Sequence, residues 1–171
     1  MKLSPSALLR STAALLAIPA VVAALAIGSA SGALAYDPNS TASVNVDADG
    51  VILRNFDATS YGAGAEPVEG SSEFSATVDG ATYLFATAEA RDAFAADPAK
   101  YQPAFGGFCA TGAALGKKLD GDPKIFRILD NVLYVFVSEE AVALWDKDPA
   151  GTLAKANETW PTISDKTPGS L

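Results

Sequence analysis

The sequence predicts an α+β fold: a small single domain built from two related β-hairpin–helix units around a shared core. Three observations predict it. Phe74, Ala76 and Val78 alternate with polar neighbours, the period of a strand with one buried face. An Asp79-Gly80 turn then leads to Thr82-Tyr83-Leu84-Phe85 and a helical run that stops before Asp97-Pro98. The same order returns at a constant offset of 51 residues. Asp130-Asn131 is the second turn, Leu133-Tyr134-Val135-Phe136 the second returning strand, and a second helical run stops before Asp148-Pro149. Neither unit can bury both of its apolar faces alone, so the pair is expected to share a core.

Residues 1–35 read as a cleaved signal peptide. Lys2 and Arg10 flank a basic start, residues 12–27 are uncharged and apolar, and Ala33-Leu34-Ala35 ends the segment with small residues. Pro19 interrupts the apolar run, which is also short for a membrane span. The chain is therefore expected to be exported, to the periplasm or the extracellular medium, with Tyr36 as its first mature residue. No stable membrane insertion is expected after cleavage. Residues 36–43 are a polar lead-in, 44–162 the domain, and 163–171 a flexible tail.

Within the domain, Val44-Asn45-Val46 and Val51-Ile52-Leu53 read as short strands around an Asp49-Gly50 turn. Residues 60–72 form a loop of small residues. Thr87 caps the first helix, AEARDAFAA, and Ser138 caps the second, EEAVALWDK. Between the units, residues 110–119 read as a helix weakened by Gly112 and Gly116, and 125–129 as a strand. A last helix runs from Thr152 to Trp160-Pro161.

Composition limits the chemistry. The full chain of 171 residues has a net charge of −8, and its mature part holds 10 basic against 20 acidic residues. Such a surface repels phosphates, which disfavours nucleic acid and anionic membranes as partners. An unknown protein or small-molecule partner remains. The chain has no His, one Cys at position 109, and one Met at position 1. Imidazole catalysis and an intramolecular disulfide are excluded, and a soft-metal site has one thiol to work with. Cys109 has three readings: a small core residue, a reactive or metal-ligating thiol, or half of an intermolecular disulfide. Lys117 and Lys118 would lower its pKa if the fold brought them close. Phe105, Gly106, Gly107, Phe108, Tyr83 and Tyr134 are the other candidate pocket residues, with tight glycine–aromatic packing as their structural alternative. Asn45, Asp47, Asp49, Gly50 and Ile52 match part of a calcium loop, but Phe56 stands where that loop needs Glu. A polar turn explains them better.

Several blocks resemble YHS-domain proteins, in particular exported bacterial members. They are Glu66-Pro67-Val68-Glu69-Gly70, Tyr83 with Phe85, Arg91 with Phe94, Asp97-Pro98 with Tyr101, and Pro103, Gly106, Gly107, Phe108, Cys109 and Ala110. Asn55-Phe56-Asp57, Ser60-Tyr61, Leu133-Tyr134, Trp145, Asp148 and Trp160-Pro161 extend the likeness over residues 44–162. The resemblance implies a small mixed fold, and for some members metal handling. With no His, only Cys109 carries over as a candidate metal ligand. The leading expectation is an exported, non-catalytic binding or accessory protein. The alternatives are a metal-binding or metal-delivery protein using Cys109 and a transition metal, across a homodimer, and a thiol- or carboxylate-dependent enzyme.

Overall fold

The computed structural model describes residues 36–62 and 64–171. The predicted signal peptide lies outside the described residues. Among the described residues no helix is long and apolar enough to cross a membrane.

The α+β domain holds two antiparallel hairpins. Strands β1 (Ser71–Val78) and β2 (Ala81–Phe85) form the first, β3 (Asp122–Leu129) and β4 (Val132–Phe136) the second. Both turns require left-handed backbone at two central residues, the geometry that matches strand twist. Asp79 and Gly80 adopt φ of 52° and 79°, Asp130 and Asn131 of 53° and 62°. Helix α1 (Ala88–Ala96) follows the first hairpin and α3 (Glu139–Trp145) the second. Their caps are equivalent: Thr87 Oγ1 accepts from the Ala90 N–H, Ser138 Oγ from the Ala141 N–H. A short α2 (Ala110–Ala114) and a long α4 (Pro149–Ile163) pack against each other beside the second unit.

The repeat extends beyond the expected hairpins and helices. Both β1 and β3 leave register at the same place, between Ser71 and Ser75 and between Asp122 and Phe126. Gly70 sits against the Leu84 backbone and Gly121 against the Val135 side chain, so neither position has room for a Cβ. Leu53, Arg54 and Asn55 form a left-handed turn with φ of 55°, 47° and 74°; Phe105, Gly106 and Gly107 repeat it with 52°, 61° and 82°. At this turn the offset is 52, because the first unit carries one more residue in the loop that follows.

The core that the two units share has two clusters of buried residues. Tyr83, Phe85 and Phe94 centre the first; Tyr134, Phe136 and Trp145 centre the second. Strand β4 joins them. Leu133 and Val135 face the first cluster while Tyr134 and Phe136 face the second, since successive strand residues point to opposite faces.

Four expectations are corrected. The segments at 44–46 and 51–53 meet only through a single bridge, Val46 to Ile52. The left-handed turn at Leu53–Asn55 diverts the chain before a strand can extend. Helix α2 stops at Ala114 instead of reaching Leu119, since Gly116 adopts a φ of 74°. Helix α4 starts at Pro149 and passes through Pro161 to Ile163; Asp148 Oδ1 caps it by accepting from the Gly151 N–H. The 163–171 segment is pinned, not a loose tail. Lys118 Nζ donates to the carbonyls of Ser164 and Lys166, and the Gly169 N–H donates to Pro38 O.

Candidate functional site

Cys109 lies at the start of α2 with no exposed surface. Its Sγ accepts from the Gly112 N–H at 3.3 Å. Burial pushes the thiol pKa up, and backbone N–H groups of Gly112, Val137 and Thr111 offset that only in part. A protonated, enclosed thiol is a poor nucleophile and a poor metal ligand. A metal shared across a dimer would need Cys109 at the surface, and the structure places it in the core. No substrate reaches the thiol in this conformation. Lys118 does not activate it. Lys118, itself 1% exposed, spends its ammonium on the carbonyls of Ala42, Ser164 and Lys166 at 2.7, 3.0 and 2.9 Å. Its Nζ also stands 4.9 Å from the Phe108 ring centroid.

The structural repeat explains why position 109 is buried and polar. Its counterpart in the first unit is Asp57. The Cys109 N–H donates to Leu119 O at 2.9 Å, and the Asp57 N–H to Val68 O at 2.8 Å. Asp57 Oδ1 accepts from the Thr59 N–H and Oγ1, and Oδ2 from the Ala86 N–H. Ala86 and Val137 occupy equivalent places just after β2 and β4. Both sites enclose a small acceptor beside the amide that leaves the hairpin. One unit uses a carboxylate, the other a thiol.

The remaining candidates serve the same frame. Gly106 approaches Ser43 so closely that a Cβ would strike the Ser43 carbonyl oxygen, and its own carbonyl accepts from the Asn45 N–H. Phe105 and Phe108 pack on Trp160, with centroids 5.7 and 5.8 Å away. Tyr83 stacks on Phe94 at 4.5 Å in the first cluster; Tyr134 stacks on Trp145 at 5.0 Å in the second. Burial pushes the Tyr83 phenol up to about 12. These six residues therefore do not converge on one pocket. The calcium-like segment is a turn: Asp47 Oδ1 accepts from the Asp49 and Val51 N–H groups. Asn45 Nδ2 donates to Gly107 O and to Asp120 Oδ1. Among the described residues no three His, Cys, Asp or Glu side chains group as a metal site.

The open polar surface lies elsewhere. A recess of about 390 Å³ runs between Gly62, Gly64, Ala65 and Glu66 on one side and strand residues 124–128 on the other, with Glu139 also lining it. A second, of about 260 Å³, shares Gly62 and Ile128 and is lined by Tyr61, Lys100 and Tyr101. Two of the four charged side chains in the first recess, Lys124 and Arg127, are cationic although the chain is acidic. Arg127 is steadied by Asp146 at 2.7 Å. Tyr61 packs edge-on against Phe126 at 5.0 Å, and its hydroxyl is enclosed without a hydrogen-bond partner among the described residues. Burial, with Asp122 and Asp57 nearby, pushes that phenol well above its usual value. Nothing in the sequence distinguished Lys124 or Arg127 from solvated surface charges; only the approach of Gly62 and residues 64–66 to β3 singles them out.

No protein-family model, curated protein or solved structure matches this chain.

Proposed function

We propose that this chain is an exported binding or accessory protein of the YHS-domain kind, and that its ligand sits in the surface recess along β3 while Cys109 serves the fold. The observation that supports this reading most directly is the equivalence of Cys109 and Asp57. A thiol whose counterpart is a hydrogen-bonded carboxylate fills a structural role that both units require. The recess, by contrast, gathers charged side chains of both signs at an open surface, the arrangement that orients a bound polar molecule. Export follows from the basic, apolar and small-residue parts of residues 1–35.

Native mass spectrometry of the protein from its export compartment, prepared without chelator or reductant, tests this. The expected result is a chain starting at Tyr36 that carries an extra mass, lost on denaturation and retained in Cys109→Ser. A metal ion that disappears in Cys109→Ser, or substrate turnover that this substitution abolishes, would overturn it. So would a mature chain that keeps residues 1–35.

A further inference from the structure

The larger recess has an unusual wall. Five consecutive residues of β3, 124–128, line it. Alternate residues of a strand point to opposite faces, so a cavity touching all of them lies along the strand's edge. The edge is where unpaired N–H and C=O groups point.

The hairpin register says which groups these are. Leu129 pairs with Val132 across the two-residue turn, Arg127 with Tyr134, Ile128 with Leu133 and Phe126 with Val135. In an antiparallel ladder hydrogen-bonded and open pairs alternate, starting from a bonded pair at a two-residue turn. Arg127 and Leu129 therefore bond to β4, while Phe126 and Ile128 turn their backbone outward. The Phe126 carbonyl agrees: it accepts from Arg127 Nη1 at 2.9 Å, which requires it to face away from β4.

We propose that this slot binds an extended peptide segment, which adds as a strand to the outer edge of β3. This rests on the binding reading above and names its ligand class. Gly62, Gly64, Ala65 and Glu66, opposite the edge, limit the occupant. A second folded copy could not bring a sheet into a slot walled on its far side, whereas one extended chain needs only the 4.7–4.9 Å strand spacing. Pro123, Lys124 and Arg127 also guard the strand against indiscriminate edge pairing. The rim charges choose the side chains: Glu66 and Glu139 favour basic residues, Lys124 and Arg127 acidic ones. In the first unit the equivalent outward residues, Ser75 and Thr77, are exposed to solvent, so that edge serves as an internal control.

The test uses the mature chain, residues 36–171, and the probe acetyl-Val-Lys-Val-Glu-Val-Lys-Val-amide. Main-chain bonds supply the affinity in strand addition, so a generic alternating peptide is a fair probe. At millimolar peptide, amide hydrogen exchange at Phe126 and Ile128 should slow by roughly tenfold, with Ser75 and Thr77 unchanged. The same peptide methylated on every backbone nitrogen, which blocks both of its edges, should give no protection. Ile128→Pro, which removes one outward N–H, should weaken binding if it folds; the methylated peptide decides the matter if it does not. Equal protection by both peptides, or none at either amide, overturns the proposal. A non-peptide mass retained on the protein in native spectrometry, alongside no peptide protection, sinks this inference alone. An empty protein that also ignores the peptide sinks the binding reading with it.

Discussion

Cys109 and Lys118 are both buried polar side chains that hold backbone groups in place. Replacing Cys109 with Ser keeps an acceptor for the Gly112 N–H and should cost about 1–2 kcal/mol, mostly from a looser fit. Lys118→Met leaves three part-buried carbonyls without their donor and should cost roughly 2–4 kcal/mol. Urea unfolding of each variant measures both. Cys109 also imposes a pH dependence. Its folded pKa is raised, so its contribution is fully present below the unfolded thiol pKa of about 8.5 and lost as pH rises through the folded value. Unfolding stability should therefore decline in alkali from about pH 8.5, and Cys109→Ser should flatten the first part of that decline. Tyr83, raised to about 12, contributes in the same sense only from about pH 10 upward. A stability curve that rises through this range would contradict the burial argument.

The repeated unit dictates the consequences for each element. Thr87→Ala and Ser138→Ala remove equivalent caps and should each cost about 1 kcal/mol, readable as similar shifts in denaturant midpoint. Gly106→Ala should be far worse, because the added Cβ meets the Ser43 carbonyl at a φ of 61°. These elements were largely legible in the sequence. Asp-Gly and Asp-Asn turns, Thr and Ser caps and Asp-Pro stops are local signals, and the offset of 51 aligned them. The equivalence of Asp57 and Cys109 was not legible, for two physical reasons. One additional residue in the first loop changes the offset to 52, and a carboxylate and a thiol look unrelated until both are seen accepting backbone N–H groups. Lys118 escaped because a lysine next to another lysine reads as surface. Only the return of residues 164–166 to the carbonyls' side of the domain shows it enclosed.

Across the whole molecule β4 is the common wall of two clusters, so the units should not melt separately. Leu133→Ala, which empties part of the first cluster from the second unit, should cost roughly 2–4 kcal/mol. Tryptophan fluorescence, which reports Trp145 and Trp160 of the second unit, should still coincide with far-UV circular dichroism in a single transition. Two separated transitions would show that β4 does not couple the clusters. The recess along β3 owes its existence to this arrangement, since Gly62, Gly64, Ala65 and Glu66 of the first unit face a strand of the second across it. The proposed division of roles places binding at that seam and a structural thiol elsewhere. It is tested most directly by the alkylation rate of Cys109 with iodoacetamide in the native mature protein against the same protein in urea. Native Cys109 is expected to react only through unfolding, slower by roughly a thousandfold or more. Rapid native alkylation at neutral pH would show an accessible, ionised thiol and return the chemistry to Cys109.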